Sequence, residues 1–261
     1  MVTARTAPTS KRGALAISTG NGVMRALKTS ESVARDIVHH IVSAQMRPGD
    51  SLPSEAAMLD EYGVSRESLR EALRLLEVQG LISIRRGPGG GPVVGKVNPA
   101  NLGRMLTLYY HLAGATYAEL FDAWVTAESF TASLAARNPD RDLVRRTMAR
   151  FRGEQPPSDE PIQQFVDDHT AFHDALGSLA RNKVMQLSLR AIGQIVTHHV
   201  LSTADPRAAS SIIETDHQTI AAAVAAGYAN KASDLMSDHV RAIVEFYKTE
   251  MGPQDEFIEW R

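Results

Sequence analysis

Between Arg47 and Val94 the apolar pattern changes period twice. Glu55 to Tyr62 carries a short helical run, entered by the turn residues Pro48-Gly49-Asp50 and Pro53 with Ser54 placed as N-cap. Gly63-Val64 breaks it, and Ser65 opens a second helix with Glu67 and Ser68 in its first turn. With Arg66 at zero and 100° per residue, Leu69, Ala72, Leu73 and Leu76 fall between about 240° and 340°, a core stripe. Leu81 to Arg86 then alternates at strand period, Gly87 to Pro92 turns, and Val93-Val94 returns. Upstream, Ser30 to Met46 is a further helix, with Val33, Ile37, Ile41, Ala44, Val38 and Val42 as its predicted stripe. The order is helix, turn, helix, hairpin.

Downstream of Asn98-Pro99 the strand period disappears. Helical patterns cover about 100–113, 117–137, 140–152, 160–180, 183–202, 207–226 and 229–249, each ended by Gly, Pro or Asn signals. Seven such helices predict an all-α antiparallel bundle. The fold class expected is therefore mostly α, a winged helix-turn-helix followed by a helical bundle. The expected boundaries are a disordered arm at 1–27, the winged domain at 28–97, a linker at 98–104, the helical domain at 105–250, and a loosely held tail at 251–261.

Composition narrows the setting. The chain has 261 residues, 43% hydrophobic and 22% charged, with no cysteine, which excludes disulfides and thiolate metal sites. No apolar run approaches a membrane span and no secretory h-region opens the sequence, so a cytoplasmic protein without a membrane partner is expected. The net charge of −2 hides an asymmetry. Residues 1–27 hold four bases and no acid, residues 28–97 nine of each, and residues 98–261 15 bases against 21 acids. Within the balanced segment, residues 62–97 hold six bases and three acids, a local basic face of the kind a DNA reader needs.

That face has a layout. Arg66, Arg70 and Arg74 fall at about 0°, 40° and 80° on the second helix, opposite its core stripe. Guanidinium forks match phosphate oxygens or guanine edges, and small hydroxyls at a helix start reach the same targets. A solvated helix laced by Glu67, Arg70, Glu71 and Arg74 pairs is the alternative. The basic, glycine-tipped hairpin that follows favours DNA, since such a wing can enter a minor groove.

Pro48-Gly49-Asp50, Leu52-Pro53-Ser54-Glu55, Gly63-Val64-Ser65-Arg66, Leu69-Arg70-Glu71-Ala72-Leu73, Leu76-Glu77, Gly80-Leu81 and the Gly-rich wing together resemble the DNA-binding domain of the GntR family of bacterial regulators. The resemblance implies DNA contact at Ser65, Arg66, Ser68, Arg70 and Gly87; Ser54, Arg74 and Arg86 complete the expected set. Some members carry Arg after the Pro-Ser-Glu run where this chain has Ala56, so one contact is absent.

In the helical half, His169 and His173 stand at i, i+4 on a face shared with Phe165, Phe172 and Leu176. His217 and His239 lie ten residues before and twelve after Gly227, which puts them at similar height on an antiparallel helix pair. Two readings follow: hydrogen-bonded core histidines, or four imidazoles closing on a divalent ion such as Zn, Ni, Co, Fe or Cu, zinc or nickel first. His198-His199 has no matching partner and reads as structural. Glu128 with Leu134-Ala135-Ala136, Phe172-His173 with Leu176 and Asn182, then His217 and His239, resemble the FCD effector domain of the FadR subfamily. The resemblance implies effector-binding residues at Trp124, Glu128 and Asn182, with two departures. Metal-containing members have Asp where this chain has His169, so the site is either four-histidine or three-histidine with His169 behind the ligands, and Asp168, about 100° off, serves only if the helix is distorted there; members binding small carboxylates have Arg where this chain has Trp124. Losing that fork favours a more apolar or aromatic ligand stacked on Trp124.

The function expected is a homodimeric, effector-responsive regulator on a pseudo-palindromic operator, a repressor released by a small molecule. A metal-responsive regulator without an organic effector is the alternative. An enzyme is not expected: Glu214-x-x-His217 is one copy of a pattern that di-iron bundles need twice, and the wing lacks the Lys-Ser/Thr of a phosphate loop.

Overall fold

The computed structural model describes residues 29–87, 89–153, 161–201, 205–251 and 255–260, so the basic arm expected at 1–27 lies outside the described residues. The chain divides into two compact units, with the division between Asn101 and Leu102 in sequence.

The first unit is three helices and a hairpin: α1 (Thr29–Ser43), α2 (Glu55–Tyr62), α3 (Arg66–Val78), β1 (Ile82–Arg85) and β2 (Gly91–Val94). Its core joins Val33, Ile37, Leu52, Met58, Leu69, Leu73, Leu76, Ile82 and Val94. The stripe expected on α3 is the buried one, Leu69, Ala72, Leu73 and Leu76. On α1 the expectation was too broad. Val42 is 69% exposed, because it stands nine residues, half a helical revolution out of phase, from Val33. Ala44 is in phase but exposed, since α1 ends at Ser43 and Gln45 turns to φ 52°. The strands pair antiparallel with Ile82 opposite Val94 and Arg85 opposite Gly91. A Cβ at Gly90 would lie 2.3 Å from the Arg85 carbonyl oxygen, so the wing tip tolerates no side chain there.

The second unit is α4 (Pro99–Ala113, which begins in the first unit), α5 (Tyr117–Ala136), α6 (Arg141–Ala149), α7 (Ile162–Leu179), α8 (Lys183–Leu201), a 3₁₀ turn (Pro206–Ala209), α9 (Ser210–Ala226) and α10 (Ala229–Met251). α5 is the axle of the bundle. It is entered by a full capping box, Thr116 with Glu119, and it packs against α7, α8, α9 and α10. Its buried face runs Leu120, Phe121, Trp124, Val125, Glu128, Thr131, Ala132 and Ala135. One cation ties two helix ends together: Arg141 donates to the Ala136 carbonyl at 2.7 Å and to those of Val224 and Ala225 at 3.0 and 2.9 Å. Carbonyls at helix C-termini lack intrahelical partners and carry partial negative charge, so a guanidinium suits both ends.

The tail is held rather than loose. Tyr117 N–H donates to Glu256 O at 3.1 Å and Ile258 N–H to Ala115 O at 2.9 Å. His111 Nδ1 meets Ile258 O at 2.9 Å, and the Ile258 side chain is 1% exposed. One large apolar side chain and a few backbone bonds suffice to pin six residues, and mean polarity does not report that.

Candidate nucleic-acid interface and metal centre

In the first unit, α2 and α3 are joined by Gly63-Val64-Ser65. Gly63 caps α2 at φ 60°, the left-handed region that glycine enters at least cost, and its N–H bonds Leu59 O. The hydroxyls of Ser54 and Ser65 accept from Ala57 N and Ser68 N, so both serine side chains act as N-caps. Ser68 Oγ lies 3.0 Å from Ser65 Oγ. The expected DNA-facing hydroxyls are thus first of all cap residues, which orient the helix start.

Arg66, Arg70, Arg74, Arg86 and Gly87 are all exposed. Arg70 reaches back across the turn to Glu55, Nε to Oε2 at 3.4 Å, rather than along its own helix to Glu67 or Glu71. The side chains of that pair are 68% and 45% exposed, so it is a solvated and exchangeable ion pair. Gly87 takes φ +99° with open space around its Cα. The result is an arginine row on one face of α3 beside a hairpin with glycine at positions 87, 89, 90 and 91.

The second site sits in the bundle. α7 presents His169 and His173, α9 His217, and α10 His239; one ring nitrogen from each lies within 4.8 Å of the others. His217 Nε2 and His239 Nε2 are 3.2 Å apart, close to the roughly 3.3 Å between nitrogens of a tetrahedral ion with 2.0–2.1 Å bonds. His239 is 1% and His217 8% exposed; His169 and His173 are partly buried. Phe172 stacks on His217 with centroids 3.9 Å apart and forms a dry wall.

Carboxylates stand behind two of the rings. Asp216 Oδ2 lies 3.1 Å from His239 Nδ1. Glu128 Oε1 lies 3.0 Å from His173 Nδ1, out of line for a hydrogen bond, and His173 Nδ1 has no other partner. Trp124 Nε1 donates to Glu128 Oε1 at 3.4 Å. Burial, followed by the repulsion of neighbouring imidazoles, holds His169 and His217 well below the usual pKa of 6.5. His239 is lowered too, by burial against the opposing pull of Asp216. These rings are therefore neutral near pH 7, the form that binds metal.

Among the described residues, the buried side-chain polar atoms with no partner are Glu128 Oε2, Thr131 Oγ1, His169 Nδ1, and both ring nitrogens of His173. All belong to this cluster or to the adjoining face of α5. Buried polar groups are normally satisfied, so their concentration in one place marks a site that receives something. Four imidazole nitrogens with hydrophobic walls fit a borderline divalent ion.

Other expected residues stand elsewhere. Trp124 is 5% exposed and belongs to the core cluster, so it is no open stacking platform. Asn182 is not brought to the histidines: it lies past the end of α7 and its Oδ1 caps α8 through Met185 N. Asp168 is exposed and bonded to Gln164 Nε2. His199 is buried and bonded to the Tyr117 hydroxyl, in keeping with a structural role. The Asp216 contact was not expected; an acidic residue directly before a candidate ligand was the only hint of it.

Comparison with known proteins places both units. Residues 29–90 match the model of bacterial regulatory proteins of the gntR family, and residues 119–242 match the FCD domain. The chain is similar to the HTH-type transcriptional regulator YcbG of Bacillus subtilis, 26% identical over 219 residues, covering 82% of this chain and 88% of that protein. It is equally similar to the Glc operon transcriptional activator of Escherichia coli K12, 26% identical over 223 residues, covering 82% and 86%. Among solved structures it superposes on Streptococcus agalactiae GntR with a TM-score of 0.58 and 22% identity, covering 83% of this chain and 99% of that one, a likeness of fold.

Proposed function

Because this chain belongs to the GntR family, joining a gntR-type DNA-binding domain to an FCD domain in a DNA-binding transcriptional regulator, we propose that the histidine cluster is where it senses its signal. In this reading a divalent metal ion held by His169, His173, His217 and His239 is part of the sensor. A small-molecule effector binds beside it, and operator affinity follows occupancy. The observation that carries the reading is the convergence of four imidazoles with the orphaned buried polar atoms around them. Both families and the relatives named above are regulators rather than enzymes. Among the described residues no helix is long and apolar enough to cross a membrane.

When bound, a divalent ion supplies fixed positive charge and coordination positions in a dry pocket. This chain's residues supply the rest. Three helices hold the four rings, Phe172 excludes water, and Glu128 Oε2 and Thr131 Oγ1 offer hydrogen-bonding positions to an effector. An effector tied to residues of α5, α7, α9 and α10 favours one packing of those helices over another, which is what coupling to DNA affinity requires. The protein works as a homodimer, two arginine-lined α3 helices matching the halves of a pseudo-palindrome. The sign adopted is repression relieved by the effector, following the FCD resemblance.

One observation favours a second reading. Trp124 fills core volume, and four histidines can saturate a tetrahedral ion. Both would suit a regulator that responds to the metal alone.

Metal content of untagged protein, by mass spectrometry, tests the proposal beside His173→Ala and His217→Ala. About one divalent ion per chain, absent from both variants, is expected; metal-free wild type, with both variants folded, overturns it. Promoter-fragment binding with and without zinc separates the two readings, since the second requires a metal response without any organic ligand. Light scattering checks the dimer, and a reporter fused to the bound promoter checks the sign.

A further inference from the structure

Four imidazoles are neutral donors, so a divalent cation among them brings two positive charges into a pocket walled by Phe172. Buried charge is costly unless it is balanced nearby. Two carboxylates answer that need from behind the ligands. Glu128, its side chain 5% exposed, approaches His173 Nδ1 to 3.0 Å, and Asp216 approaches His239 Nδ1 to 3.1 Å. Both address Nδ1, the nitrogen on the far side of the ring from Nε2. A carboxylate that accepts the Nδ1 proton leaves the lone pair on Nε2. For His239 that Nε2 is the atom facing His217, 3.2 Å away. The Trp124 indole N–H steadies Glu128 from the core side.

We infer that Glu128 and Asp216 are positioning residues of the metal centre: Asp216 sets His239 as an Nε2 donor, Glu128 stands as a buried negative charge beside His173, and the two carboxylates together balance the charge of one divalent ion. The inference rests on the metal reading above and deepens it. Such a site favours a divalent over a monovalent ion of the same ligand preference. Glu128 carries the larger share, because Asp216 is 37% exposed and water screens it.

The test is cobalt(II) chloride titrated into the metal-stripped full-length chain, followed by calorimetry and by d–d absorption, for wild type, Glu128→Gln and Asp216→Asn. Groups that stand behind metal-bound histidines and orient them are typically worth roughly 10–100-fold in affinity. The expectation is one ion per chain throughout, with affinity at least about tenfold weaker for Glu128→Gln, a smaller loss for Asp216→Asn, and an altered absorption envelope in both. Far-UV circular dichroism of the metal-free forms checks folding. Should Glu128→Gln fail to fold, Asp216→Asn and the imidazole ¹⁵N spectrum of metal-free wild type carry the test; that spectrum must show His239 protonated at Nδ1 and bare at Nε2. Variants that bind cobalt within twofold of wild type, with unchanged absorption, overturn the positioning role and leave the metal reading standing. Wild type that takes up no cobalt overturns both.

Discussion

Arg70 on the exposed face of α3 is held by Glu55 of α2 at 3.4 Å, and a guanidinium so engaged must be released before it meets a phosphate. Removing Glu55 should therefore strengthen DNA binding. With side chains 68% and 45% exposed the pair is solvated, so its cost to binding lies in the 0.2–1 kcal/mol range of surface ion pairs, about a 1.5- to 5-fold effect. Glu55→Gln keeps the side chain's size and leaves the Ser54 cap intact, while it also removes a negative charge from the DNA-facing side. Arg70→Ala acts in the opposite direction and in a distinguishable way. Each phosphate neutralised contributes about 0.9 to the slope of log affinity against log salt on duplex DNA. The assay is fluorescence anisotropy on a labelled mixed-sequence duplex across a salt series, which needs no knowledge of the operator. Glu55→Gln is expected to bind a few-fold tighter with an unchanged or slightly steeper slope; Arg70→Ala is expected to bind more weakly with a slope shallower by about one charge. Unchanged slopes in Arg70→Ala and in Arg66→Ala would refute the assignment of this face to DNA.

Arg141→Ala should destabilise the helical unit by about 3 kcal/mol, since charged hydrogen bonds to three helix-end carbonyls are lost and those groups are only partly rehydrated. Both tryptophans, Trp124 and Trp260, lie in that unit, so urea unfolding followed by tryptophan fluorescence isolates it; a change under about 0.5 kcal/mol would sink the idea. The metal-free protein should lose stability on acidification. Folding lowers the pKa of His169, His217 and His239 below 6.5, so below that pH the unfolded chain binds more protons and is favoured. Melting of EDTA-treated protein at pH 7.5 and 5.5 should show the drop, and His217→Asn should reduce it; an equal drop in that variant argues against the histidines as its source. Ile258→Ala should cost about 2–4 kcal/mol as a buried apolar truncation, and a near-neutral result in the same fluorescence assay would show the tail to be dispensable.

Local and periodic signals were legible in the sequence. The caps at Ser54 and Ser65, the break at Gly63 and the stripe on α3 each involve residues within one or two helical turns. The meeting of the four histidines was legible for a related reason. The i, i+4 pair shares one helix face, and the spacing about Gly227 sets the other two at one height. What the sequence did not reveal depends on how helices rotate against one another. Asp216 turns toward His239 rather than outward only because of the α9–α10 packing. Arg141 bonds carbonyls 83 and 84 residues away. Glu128 was singled out, but its distance from His173 is a property of α5 against α7. Trp124 looked like a ligand platform because aromatic residues serve both cores and ligands, and the core took it.

The clasp formed by Glu256 and Ile258 on Ala115 and Tyr117 sets an order of events during synthesis. Among the described residues, every core residue of the first unit lies between Val33 and Val94, so that unit can fold while the ribosome is still working through the bundle. The clasp itself cannot form until residues 256–258 have been made and have come back to the start of α5. A newly made chain thus passes through an interval in which its arginine-lined helix is complete while His239, the last of the four clustered histidines, has yet to be added.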